Sequence, residues 1–100
     1  MGIHLYYWPS FERSVRKLGH EQRCIVGLII EALEVYYSSN CDIGEARKVA
    51  PRFFYKQLRR PIYEAGVESK IRVVLEMEGE KSTALLAGTH DQIKRLLAKL

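Results

Sequence analysis

The chain has 100 residues, of which 47% are hydrophobic and 28% charged, and its formal net charge is +4. That length is one domain, residues 1–100, able to bury about 65% of the surface its unfolded form exposes. The longest strongly apolar run, residues 24–30, is far short of the ~20 residues of a membrane span and lies too deep in the chain for a signal-peptide core, so a cytoplasmic protein with no membrane partner is expected.

Taken in order, residues 3–8 (Ile-His-Leu-Tyr-Tyr-Trp) are β-prone and stop at Pro9, which predicts a first strand. Ser10 is a candidate helix cap, and Phe11, Val15 and Leu18 then share one stripe until Gly19 ends the helix. A second helix is predicted over residues 21–37. Its stripe is Ile25, Leu28/Ile29, Ala32/Leu33 and Tyr36, and Ser38-Ser39-Asn40 ends it. Together the two form a helical hairpin whose apolar faces need a sheet. Residues 41–52, with Gly44 and Pro51, read as a basic loop, in which Glu45 to Val49 has the composition of a helical turn.

The stretch from Phe53 to Gly88 follows as an antiparallel meander of three strands. Residues 53–67 form its first run, residues 71–78 its second and residues 83–88 its third. Ile71, Val73, Leu75 and Met77 alternate onto one face of the middle strand, which suits a core. Arg72 points to the other face, beside Val74. Residues 92–100 (Ile93, Leu96, Leu97, Leu100) predict a short amphipathic terminal helix. Strands clustered after helices argue for an α+β domain in the order β-α-α-β-β-β-α, a helical hairpin on a small antiparallel sheet.

The charge is unevenly spread. Residues 1–40 carry four basic against four acidic residues, and residues 61–100 carry six against six. Residues 41–60 carry Arg47, Lys48, Arg52, Lys56, Arg59 and Arg60 against Asp42 and Glu45, so the whole excess falls there. A local excess of this kind fits a polyanion partner; a solvated loop that keeps the protein soluble is the other reading.

No glycine-rich phosphate loop, nucleophile elbow or metal-ligand spacing occurs, so neither a metal nor a cofactor is expected. Cys24 and Cys41 read as reduced thiols. His4 reads as a strand residue and His20 as a helix-start residue. His90 follows Gly88-Thr89 where the last strand hands over to the terminal segment, a position from which a group titrating near neutrality can act over a sheet. An exposed loop histidine beside Asp91 is the plainer reading. For Arg72 the plainer reading is an ion pair with Glu64 or Glu76. Tyr55 and Tyr63 read as half-buried packing residues or as stacking platforms for bases.

The strand ending in Pro9-Ser10-Phe11, the hairpin with Arg16-Lys17-Leu18-Gly19, then Tyr55-Lys56-Gln57-Leu58, Pro61-Ile62-Tyr63-Glu64 and Ile71-Arg72-Val73-Val74-Leu75 follow one another in an order that resembles the RelE/ParE superfamily of bacterial toxins. The resemblance covers nearly the whole chain, through short motifs. It implies a compact α+β toxin of a type II toxin–antitoxin system, partnered by an antitoxin protein. In the RelE-like branch it implies metal-independent cleavage of mRNA, on the ribosome in members resembling RelE. On that resemblance Arg72 matches the phosphate-contacting arginine, His90 lies near the segment that supplies an acid or base, and the six basic residues of 41–60 would hold the RNA backbone. Gly66 departs from the pattern, standing where the strand motif usually has arginine, and Val74 and Leu75 stand where a tyrosine often closes the next. A ParE-like toxin that inhibits gyrase by protein contact, or an inactive RNA-binding relative, therefore stays open.

Overall fold

The computed structural model describes residues 2–100. The elements run β1 (His4–Tyr7), α1 (Pro9–Arg16), α2 (His20–Ser38), α3 (Ile43–Val49), β2 (Phe54–Arg59), β3 (Ile62–Gly66), β4 (Arg72–Glu78), β5 (Lys81–Gly88) and α4 (His90–Lys99). The α+β class holds, with four refinements. The run over residues 53–67 is two strands, because Arg60 and Pro61 turn it back on itself. Residues 43–49, read as part of a basic loop with the composition of a helical turn from Glu45 to Val49, are helical: Asp42 caps them by accepting from the amides of Gly44 and Glu45, and Ala46 buries their inner face. The sheet, ordered β1-β5-β4-β3-β2, is mixed, since β1 pairs parallel to β5 while the other pairs are antiparallel. Ser10 does not cap α1. The helix starts at Pro9, where the missing N–H costs nothing, and Trp8 takes the cap position.

Ser10 has another task. β1 covers the edge of β5 only from Lys81 to Ala84. Beyond that point the Ser10 hydroxyl donates to the Leu85 carbonyl at 2.7 Å, and the Ala87 amide donates to Ser14 Oγ at 2.9 Å. Two serines of α1 thus satisfy an edge that would otherwise offer bare backbone.

β4 is central and buried on both faces, which explains its continuous Val73-Val74-Leu75. On one face Ile71, Val73 and Leu75 share a core with Ile29 and Leu33 of α2, Ala46 of α3 and Phe53 just before β2. The buried stripe of α2 is Val26, Ile29, Ala32/Leu33 and Tyr37, turned about one position from the expected one, and Leu28 is exposed. The reason is Tyr37, whose hydroxyl lies 2.7 Å from Ser82 Oγ and 3.0 Å from the Tyr55 hydroxyl and ties the helix to the sheet. On the opposite face α4 seals a smaller core of Ile62, Val74, Leu85 and Ile93. It covers only part of that face and leaves the end near Arg72 open. Among the described residues no helix is long and apolar enough to cross a membrane.

Candidate functional site

Arg72 opens β4 opposite Gly88 of β5, on the sheet face away from α2. Its surroundings are built from three neighbouring strands. The Phe54 ring lies over Gly66, its cross-strand partner, where a Cβ would fall 2.6 Å from the ring. The Arg72 guanidinium sits 5.1 Å from the centre of that ring, a cation–π arrangement. The glycine that departs from the family motif is thus what lets an aromatic platform lie flat beneath the arginine. Arg72 Nη1 donates to Glu64 Oε1 at 3.4 Å, and Lys56 Nζ lies 3.4 Å from Glu64 Oε2. Glu64 is only 2% exposed, whereas Arg72 keeps 29% of its side chain accessible. Arg72 Nε is buried without a hydrogen-bond partner.

Two clefts meet at this arginine. One, of about 360 Å³, is lined by Lys70, Arg72, Thr89, His90 and Asp91. The other, of about 520 Å³, is lined by Arg47, Pro51, Arg52, Phe54, Glu68 and Arg72. His90 is the first residue of α4, which Thr89 caps by accepting from the Gln92 amide, while Gln92 Oε1 accepts in return from the Thr89 amide at 2.8 Å. Gln92 reaches back over Gly88, where a Cβ would lie 2.5 Å from its Oε1. The capping box therefore fixes where His90 enters the cleft, next to the strand position that faces Arg72.

The six basic residues of 41–60 are not gathered in one place. Arg47 and Arg52 line the second cleft, the former donating from Nε to the Phe53 carbonyl and the latter paired with Glu68 at 3.1 Å. Lys56 shares Glu64 with Arg72. Lys48 pairs with Glu45 along α3, outside both clefts. Arg59 donates to the Leu97 carbonyl at 2.7 Å and Arg60 lies at the hairpin tip beside Pro61, both at the far end of β2. Lys70, which sequence reasoning missed, joins the His90 cleft; its signal was its place two residues before Arg72. Phe54 was missed as well.

Tyr55 and Tyr63 face the other way, stacked on each other with ring centres 5.3 Å apart, and Tyr55 also packs against Tyr36 and Tyr37. Burial raises the phenol pKa values of Tyr36, Tyr37 and Tyr55 above their ordinary range, that of Tyr55 most strongly. Among the described residues no group of three His, Cys, Asp or Glu side chains converges as a metal site needs.

Chemically, the open end of the sheet presents a guanidinium, an ammonium and an imidazole, with the Asp91 carboxylate beside them, around a cleft of about 360 Å³. Such a set can hold a phosphodiester and stabilise charge that develops on it.

No family model matches the sequence, and no curated protein matches it. Solved structures do. The RelB-RelE antitoxin-toxin complex from Methanococcus jannaschii contains a chain similar to this one at a TM-score of 0.63 and 15% identity, over 91% of this chain and 96% of that one. A copper-bound mutant toxin from Helicobacter pylori is similar at a TM-score of 0.54 and 14% identity, over 91% and 98%. Five strands and four helices in this arrangement are the fold of RelE-like toxins, and this chain has that fold.

Proposed function

We propose that the chain is the toxin of a toxin–antitoxin pair, that it acts in the cytoplasm, and that it cleaves mRNA at the Arg72 cleft without a metal ion. The observation that carries this reading is the meeting of Lys70, Arg72 and His90, from the loop before β4, the start of β4 and the start of α4, on one cleft. The ribose 2′-oxygen attacks the adjacent phosphorus and loses its proton; the bond from phosphorus to the 5′-oxygen breaks, and that oxygen gains a proton. Cyclic-phosphate and 5′-hydroxyl ends result. Arg72 neutralises the charge that builds on the phosphoryl oxygens, Lys70 holds the neighbouring backbone, and His90 serves as the general acid or base. Arg47, Arg52 and Lys56 extend the RNA track, while Lys48, Arg59 and Arg60 contribute long-range attraction. The fold neighbour solved as an antitoxin-toxin complex supports a protein antitoxin as partner. Primer extension on transcripts after induction tests the reading. Discrete cuts should appear with the intact chain and fall by about 100-fold or more in Arg72→Ala and in His90→Ala. Growth arrest unchanged in both variants counts against this site.

One observation favours a second reading, gyrase inhibition by protein contact: Glu64 already engages the guanidinium that a phosphate would need. It predicts DNA supercoiling defects with intact transcripts, and toxicity that survives Arg72→Ala.

A further inference from the structure

Free positive charge also lies outside the segment where the sequence concentrates it, although Arg47, Arg59 and Arg60 of that segment form no ion pair among the described residues. In the basic segment Lys48, Arg52 and Lys56 are each tied to a carboxylate. Arg13 of α1 and Lys17 at its C-cap, and Arg95 and Lys99 of α4, form no ion pair among the described residues. These four line two depressions, of about 410 and 210 Å³, that share Leu86 and Gln92 and so form one furrow across β5 between α1 and α4. No acidic residue lines either depression.

The floor is apolar, made by Leu18, Leu86, Ala87 and Leu96. On each rim the two cations stand four residues apart, about one helical turn, Lys17 carrying the α1 rim on through its C-cap. An apolar trough between two cationic rims of helical pitch complements a helix with an apolar stripe flanked by acids. It does not suit single-stranded nucleic acid, because no aromatic ring lines it to stack a base.

We infer that this furrow docks an acidic amphipathic helix of a partner protein. The inference rests on the partner half of the proposed function and uses none of the residues assigned to cleavage.

The test uses the intact chain and a fluorescent synthetic peptide of leucine and glutamate in amphipathic helical order. A shuffled peptide of the same composition and a short single-stranded RNA serve as comparisons, with binding read by anisotropy. The ordered peptide should bind better than the shuffled one and weaken as salt rises. The double variant Arg13→Glu/Arg95→Glu, at exposed positions, should weaken it by about tenfold or more. Arg72→Ala should leave peptide binding unchanged, and the double variant should leave transcript cleavage unchanged. Absence of transcript cleavage with peptide binding intact removes the nuclease reading and leaves the docking site. Equal binding of ordered and shuffled peptides overturns the inference. So does RNA binding or cleavage that falls with the double variant, which makes the furrow a nucleic-acid contact. Self-association of the chain that the double variant abolishes overturns it as well, since the occupant is then a second copy.

Discussion

Arg72 and Lys56, two cations of the candidate centre, share one buried carboxylate, so an incoming phosphate competes with Glu64 for both. Glu64→Gln keeps the shape and removes the competing charge. Its expected outcome is a fold less stable by roughly 1–2 kcal/mol, since both cations keep access to water, and an affinity for a non-cleavable RNA that rises several-fold. Urea unfolding and anisotropy measure the two effects, and an affinity that falls instead means that Glu64 orients the guanidinium for RNA. Gly66 makes a complementary prediction. In Gly66→Ala the new methyl meets the Phe54 ring at 2.6 Å, so the ring must leave its place under Arg72. The variant should lose about 1–3 kcal/mol in urea unfolding. Adding Phe54→Leu should return stability without returning cleavage, because the leucine removes the clash but offers no π face to the guanidinium.

At the scale of elements, the start of α4 sets the position of His90. Thr89→Ala removes the hydroxyl that receives the Gln92 amide and should cost about 1 kcal/mol in thermal or urea unfolding. If His90 works in the cleft, the same variant should lower cleavage more than its stability loss explains, which transcript assays well below the unfolding midpoint will read. The sequence makes this helix legible because Ile93, Leu96 and Leu97 repeat at helical spacing. It makes the two faces of β4 legible because side chains alternate, and so places Arg72 opposite Val73. It shows only the Glu45 to Val49 turn of α3, which is short, contains Gly44 and is followed by Pro51, both loop signals. It also hides the parallel pairing of β1, because nothing in residues 4–7 encodes a partner nearly eighty positions away. The cation–π platform stays hidden for the same reason: Phe54 and Arg72 meet only once β2, β3 and β4 have a register.

Across the whole molecule, charge read along the chain and charge read in space disagree. Of the six cations of 41–60, Arg52, Lys56 and Arg59 find a carboxylate or carbonyl from another segment and Arg47 and Lys48 find one within it, while the two ends of the chain, each balanced in sequence, bring four cations without an ion pair among the described residues together. Net repulsion is smallest near the pI of about 9.2 and grows with negative charge above it, and particular groups add a steeper fall in stability there. The tyrosines at the α2–sheet junction supply them. Burial raises the phenol pKa values of Tyr37 and Tyr55 above the ordinary 10.0. The folded chain therefore holds protons that the unfolded chain releases as pH passes 10.0, and stability falls with rising pH from there. In Tyr55→Phe the hydrogen bond to Tyr37 is lost, which should cost about 1 kcal/mol near neutral pH. One phenol fewer resists ionisation, so the fall above pH 10.0 should be shallower and the curves of the two proteins should converge. Urea unfolding from neutral pH upward, with phenolate absorbance followed in parallel, measures both. Curves that stay parallel mean that the tyrosine junction opens to water before its phenols titrate, and that the alkaline limit of this fold is set elsewhere.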